Sequence, residues 1–249
     1  KSTYKECVVK KSNKWMYVIT TVPHREFNYF EKTLESLNKA GWDKPIISVD
    51  DNKGYEQYES TYTVIKRERN LGAFGHWYLT MLEMWIRDPN ADWYAIFQDD
   101  LTCYRNLRQY IDLFPIPENQ YWNLYTFPQN EDLCGGKTGW HKSNQRGRGG
   151  VALIFPRNVV FRLLSSEIMV AKSKCPKNPT KSLDGAIINS FSRMKPVVTE
   201  FVHYPTLVQH LGTCTSIGNR QWDKPRSWMG EDFDAMEFYY AAASTAPQH

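Results

Sequence analysis

Cysteine is scarce and unpatterned in this chain. The five residues, Cys7, Cys103, Cys134, Cys175 and Cys214, are odd in number, widely spread and never spaced as C-x-x-C. That argues against a disulfide scaffold or a zinc ribbon and for a reducing compartment. Long apolar runs are also missing: nothing approaches the roughly 20 residues of a membrane-spanning helix. No signal peptide is visible, although the chain opens on Lys1. A cytoplasmic location is the expectation. Excess charge of one sign is lacking too. Lys and Arg number 31 against 27 Asp and Glu, a formal +4. This mild basicity suits an anionic ligand such as a nucleotide diphosphate and does not by itself argue for nucleic acid. Several signatures are absent. Without G-x-x-x-x-G-K-[ST] there is no P-loop ATPase, and without G-x-G-x-x-G after the first strand there is no usual dinucleotide fingerprint. Neither G-x-S-x-G nor H-E-x-x-H occurs, so the common serine-hydrolase and zinc-protease readings have no support.

What is present reads as one α/β domain. The 249 residues, 41% hydrophobic and 23% charged, are ordinary for a soluble globular protein with a sizeable core. Residues 15–21 form a β-rich run ending at Pro23-His24-Arg25. A helix should follow, with Phe27, Phe30, Leu34 and Leu37 on one face and Gly41 as its stop. Short strands are predicted at 45–49 and 61–66, then an amphipathic helix carrying Phe74, Trp77, Met81, Leu82, Trp85 and Ile86, then a strand at 93–97. Alternating strands and helices imply βαβ units and a mostly parallel sheet, whose ligands bind beyond the carboxyl ends of the strands. Farther on, 121–127 and 151–155 read as strands, 158–170 and 183–194 as helices, and 196–203 as a strand. Between the first two strands of that group lies a Gly-rich, basic loop from Glu131 to Gly150. The division expected is a nucleotide-binding half at 15–101, an acceptor-side half at 102–220 and a tail at 221–249.

Four constellations could carry chemistry. Asp99 and Asp100 close a strongly apolar strand, and paired hard oxygens there suit Mn²⁺ or Mg²⁺, with phosphate and water completing the shell. The competing reading is a solvated acidic turn. His210 lies between apolar neighbours, as a core histidine or as a metal ligand. Asp184 stands at the start of a helix, as an N-cap or first-turn carboxylate that the helix dipole keeps ionised, or as a base near an acceptor hydroxyl. The glycine-dotted basic segment from Gly135 to Gly150 permits close backbone approach to an anion, or is a surface loop.

Taken in order, these pieces resemble the GT-A class of glycosyltransferases. Thr20-Thr21-Val22-Pro23-His24-Arg25 is similar to the turn after the family's first strand, and Asp50-Asp51 to the carboxylate that contacts the nucleobase. Asn70-Leu71-Gly72 is similar to the Asn-x-Gly before a helix. Gln98-Asp99-Asp100 looks like a variant of the acidic metal motif with Gln98 in place of its first acid. Gly149-Gly150 and the strand after it resemble the glycine-led strand beside the donor sugar. Ser182-Leu183-Asp184 stands where the family has its catalytic acid. Residues 205–218, with His210, are similar to the late loop of N-acetylglucosaminyltransferase IV–like enzymes. The resemblance implies a nucleotide-sugar donor, by family frequency a UDP-sugar, contacted by Thr21, Arg25, Asp51, Asn70, Gly72, Gln98, Asp99, Gly149 and Gly150. It implies Mn²⁺ or Mg²⁺ on Asp100, with Asp99 and His210 assisting, and Asp184 as the base of an inverting transfer. Trp140 either stacks on the acceptor or packs in the core. A saccharide is the default acceptor. A hydroxymethylated base in DNA is the alternative, supported by Lys137, Lys142, Arg146 and Arg148 and by Lys172, Lys174, Lys177 and Lys181. A non-catalytic carbohydrate- or nucleotide-binding module on the same fold is the reading from another class.

Overall fold

Two apolar faces built from one strand explain the architecture. The computed structural model describes residues 13–23, 28–114, 117, 119–175, 182–212 and 224–244. In strand β4 (Trp93–Gln98), Trp93, Ala95 and Phe97 enter one core cluster, and Tyr94 and Ile96 enter the other. Side chains alternate across a strand, so a continuous apolar run marks a strand covered on both faces. Strand β1 (Trp15–Thr21) splits its side chains the same way, with Trp15 and Ile19 on one side and Val18 on the other. Helix α1 (Phe30–Lys39) covers the first face with Phe30, Leu34 and Leu37. Helix α2 (Gly72–Arg87) covers the second with Phe74, Trp77, Met81 and Met84.

Strand β1 pairs in parallel with β2 (Ile46–Val49) on one side and with β4 on the other, and β2 pairs in parallel with β3 (Val64–Lys66). Beyond β4 come β8 (Ala152–Pro156), antiparallel to it, then β6 (Gln120–Asn123), β9 (Thr199–Tyr204) and the edge strand β7 (Gly139–Lys142). The eight-stranded order is β3-β2-β1-β4-β8-β6-β9-β7. This is a mixed α/β fold with a large Rossmann-like sheet flanked by helices, consistent with the GT-A class. A second, two-stranded sheet pairs β5 (Leu101–Cys103) with β10 (Val208–His210). The remaining helices are α3 (Leu107–Asp112), α4 (Pro128–Cys134), α5 (Arg157–Leu164), α6 (Glu167–Ser173), α7 (Leu183–Arg193) and α8 (Met236–Ser244). No helix among the described residues is long and apolar enough to cross a membrane, and Cys103, Cys134 and Cys175 are free thiols.

The second half departs from the sequence reading for local reasons. The strand expected at 121–127 stops at Asn123, whose Oδ1 accepts the Tyr125 N–H at 3.1 Å and turns the chain. The helix expected at 158–170 is two helices, because Ser166 Oγ accepts the Met169 N–H at 3.3 Å and starts α6. The expected loop from Glu131 to Gly150 holds most of α4 and all of β7. The expected tail is partly helical: α8 runs to Ser244, and Met236 and Phe238 are buried in the core.

Candidate functional site

From β1 the chain passes to β2 on one side, while β4 lies on the other. The crevice beyond the carboxyl ends of β1 and β4 is therefore a topological switch point. Thr21 and Asp99 face each other there, both buried. Thr21 Oγ1 donates to Asp99 Oδ2 at 2.5 Å and lies 2.5 Å from the Tyr55 hydroxyl. A carboxylate only accepts, so the Thr21 proton is committed to Asp99 and Tyr55 donates to Thr21. Tyr55 was not singled out from sequence. It follows Gly54 in a turn, at φ 67°, and no local pattern marks it.

Asp100 turns the other way. Pairing of β10 with β5 sets His210 opposite Leu101, and the Leu211 N–H donates to the Asp100 carbonyl at 2.7 Å. His210 Nε2 then lies 3.2 Å from Asp100 Oδ2, while its Nδ1 lies 3.0 Å from the Gly212 carbonyl oxygen. A carbonyl only accepts, so Nδ1 carries a proton and the neutral ring turns its Nε2 lone pair toward the carboxylate. Two acceptors so close call for a cation or a proton between them. Burial works against the imidazolium, but the Asp100 carboxylate and the Gly212 carbonyl outweigh it and raise the His210 pKa. The pair also fits a hard divalent ion, because ligands about 2.1 Å from an octahedral centre lie about 3.0 Å apart. Among the described residues no three His, Cys, Asp or Glu side chains form a site by themselves. Mg²⁺ is usually held by one or two carboxylates, with phosphate and water completing the shell; here Asp100 is the carboxylate and His210 adds a softer nitrogen ligand. Gly212 makes room for the pair: a Cβ there would sit 2.8 Å from His210 Cε1.

Two hydrogen bonds link Gln98, at the end of β4, to Asp184 through Gly150. Gln98 Nε2 donates to the Gly150 carbonyl at 3.4 Å, and the Gly150 N–H donates to Asp184 Oδ2 at 3.2 Å. Both glycines are required. Gly149 has φ 74°, and a Cβ on it would lie 2.6 Å from Tyr125 Cδ1; a Cβ on Gly150 would collide with Asp184 Oδ1. The N-cap of α7 is Ser182, whose Oγ accepts the Gly185 N–H at 3.1 Å. Asp184 is thus a first-turn residue and not the cap. Nor does the helix dipole settle its charge: burial raises its pKa, and the Gly150 and Gly149 N–H groups only partly offset that.

The carboxylate of Asp50 is committed elsewhere. Oδ1 accepts the Leu71 N–H at 2.7 Å, and Oδ2 accepts the Gly72 N–H at 2.9 Å and Asn70 Nδ2 at 3.0 Å. Asn70 and Gly72 therefore lock the N-terminus of α2 onto the end of β2. Asp51, half-buried beside them, accepts the Asn52 N–H at 2.7 Å. Arg25 lies outside the described residues, as do Thr213 to Gly218, Lys177 and Lys181. Trp140 is on β7, four strands from β4, or about 19 Å at the usual strand spacing. Its ring stacks on Trp122 at 3.9 Å, so packing occupies that face. Lys172 is buried with its ammonium 5.0 Å above the Phe74 ring.

No protein-family model and no curated protein matches this chain. Among solved structures it is similar to a mannose-1-phosphate geranyltransferase from Thermus thermophilus, with a TM-score of 0.44 and 14% identity over 76% of this chain and 73% of that one. It is also similar to a glycosyltransferase involved in the glycosylation of the major capsid of PBCV-1, with a TM-score of 0.44 and 9% identity over 80% of this chain and 94% of that one.

Proposed function

We propose that this chain is a metal-dependent glycosyltransferase that moves a sugar from a nucleotide-sugar donor, a UDP-sugar by family frequency, to an acceptor hydroxyl with inversion. The observation that carries the reading is the approach of His210 Nε2 to within 3.2 Å of Asp100 Oδ2, in the turn just past the carboxyl end of β4. Gln98, two residues before Asp100, donates to the Gly150 carbonyl, and the Gly150 N–H donates to the half-buried Asp184 carboxyl. In this reading the donor diphosphate lies at the carboxyl ends of β1 and β4, near Thr21, Asp51, Asn70, Gly72, Asp99 and the Gly149-Gly150 turn. Asp100 and His210 would hold Mn²⁺ or Mg²⁺, which would supply positive charge to offset that of the leaving diphosphate. Asp99, whose Oδ2 accepts the Thr21 hydroxyl in a hydrogen bond, orients that strand end and would assist Asp100 at the metal. Asp184 accepts the proton of the acceptor hydroxyl as its oxygen bonds to the anomeric carbon and the bond to diphosphate breaks. A raised pKa strengthens Asp184 as a base.

A saccharide remains the default acceptor. The DNA alternative loses Lys172, which is buried over Phe74. The test is a donor panel scored for metal-dependent nucleotide diphosphate release, with saccharide and modified-DNA acceptors at two salt concentrations. EDTA and Asp100→Ala should abolish release. Asp184→Asn should lower kcat by roughly 10²–10⁴-fold with donor affinity kept. Donor binding with no release from any donor would point to a binding module instead.

A further inference from the structure

An open pocket of about 340 Å³ lies beyond the carboxyl end of β9, where Tyr204 forms one wall and α4 another. Strand directions put it on the same edge of the sheet as the centre described above. β4 is antiparallel to β8, β8 to β6, and β6 is parallel to β9, so β9 runs with β4. The register aligns Ile96 with Leu153, Leu153 with Asn123 and Asn123 with Val202. Tyr204 is therefore level with Gln98, three strands away, or about 14 Å at the usual spacing. The chain also connects the two places directly, because residues 204–210 run from the pocket to His210.

The rear wall is fixed by buried Glu131. Its Oε1 accepts the Ser227 N–H at 2.9 Å, and its Oε2 accepts the Arg226 N–H at 2.9 Å and Arg226 Nε at 3.3 Å. Ser227 Oγ in turn accepts the Thr206 N–H at 2.9 Å. The groups at the front are open to a ligand. Asp132 and Arg226 are exposed and ion-paired, and Tyr204 is half-exposed and belongs to neither core cluster. Gly135 and Gly136 have φ of 59° and 73°, and a Cβ on either would meet nothing within 4 Å. Their backbone faces the pocket uncovered. The lining thus offers acceptors, a guanidinium donor and one aromatic ring, which suits a polyhydroxylated ligand whose hydroxyls both donate and accept. Two carboxylates against one guanidinium, beside the negative end of α4, disfavour a phosphate backbone. We propose that this pocket is an acceptor subsite that holds one unit of an oligosaccharide whose terminal hydroxyl reaches the transfer centre. The separation of about 14 Å exceeds one sugar ring, so the preferred acceptor is a short chain and not a monosaccharide.

This proposal rests on the glycosyltransferase reading, and the experiment separates the two. Glucose, galactose, mannose, N-acetylglucosamine and their di-, tri- and tetrasaccharides are titrated into the full chain and followed by calorimetry and saturation-transfer NMR. In at least one series affinity should climb with chain length. Tyr204→Ala should lower the affinity of the best-bound saccharide roughly tenfold. Asp132→Asn, at an exposed position that folding does not depend on, should lower it severalfold. In transfer assays both variants should raise the acceptor KM more than they lower kcat, as loss of uniform binding does. Wild-type affinity in both variants overturns the subsite. So does an absence of binding across the panel, or binding of a hydroxymethylated DNA duplex in its place with steep salt dependence. If Tyr204→Ala does not fold, Asp132→Asn decides alone. If a saccharide binds and both variants weaken it but no donor is turned over, the subsite stands and the glycosyltransferase reading fails. If transfer occurs to a saccharide whose affinity ignores both variants, that reading stands and the subsite fails.

Discussion

Replacing Asp50 by Ala should unlock helix α2 from the sheet. The Leu71 and Gly72 N–H groups would lose the acceptors they reach at 2.7 and 2.9 Å, at the end of a helix where donors have no partner within the helix. An unsatisfied buried donor costs about 1–3 kcal/mol. These two are half-buried and water can reach part of that end, so the lower half of the range applies and the total is about 3 kcal/mol. Asn70 Nδ2 retains the Asp50 carbonyl at 3.2 Å and adds little to the loss. With a urea m-value of roughly 3 kcal/mol/M, the unfolding midpoint should fall by about 1 M. Asp51→Ala is the control. Its carboxylate makes one local bond, to Asn52, and its removal should change stability by less than about 0.5 kcal/mol while weakening nucleotide binding. Equal midpoints for the two variants would refute the division of labour between these neighbours.

Ser182→Ala, which removes the cap of α7, should cost about 1 kcal/mol in the same assay and leave turnover intact, the reverse of the pattern expected for Asp184→Asn. Gly212→Ala places a Cβ 2.8 Å from His210 Cε1; affinity for Mn²⁺ with UDP, read by calorimetry, should fall roughly 10–100-fold in a folded protein, and an unchanged affinity would remove His210 from the metal site. Acid should destabilise the fold through two histidines. Burial, with Arg67 beside it, lowers the pKa of His76 to about 4, and burial lowers that of His203 to about 4. Each binds fewer protons folded than unfolded, so its contribution is full above about 6.5 and drains away as pH falls toward 4, by up to about 1.4 kcal/mol per unit. Asp184 and Glu200, with raised pKa values, work in the opposite sense and soften the slope. Urea stability followed across this window should decline with acid and decline less in His203→Gln; stability that rises toward pH 4 would contradict the assignment.

The strand-helix alternation of the first hundred residues was legible because it is a local property. β1 falls at Trp15–Thr21, as expected from its β-branched and aromatic run, and β4 follows its apolar stretch to Gln98. Once four strands and two crossover helices are known, right-handed connections and short loops leave few ways to arrange them, so the polar ends of β1 and β4 had to meet. What required tertiary structure were roles set by partners distant in sequence. Asp50 and Asp51 are indistinguishable locally, and only the docking of α2 commits Asp50 to backbone N–H groups. Asp99 and Asp100 are likewise adjacent, yet Asp99 bonds Thr21 and Asp100 meets His210, because they form the turn between β4 and β5 and each is placed by a different partner segment, β1 for Asp99 and β10 for Asp100. The pocket beside Tyr204 left no mark in the sequence. Its walls come from α4, from the end of β9 and from the chain before α8, so no window of the chain contains them. Sequence determined which segments could bury an apolar face. Which carboxylates share that interior, and with whom, was decided by packing, because electrostatics acts through space and not along the chain.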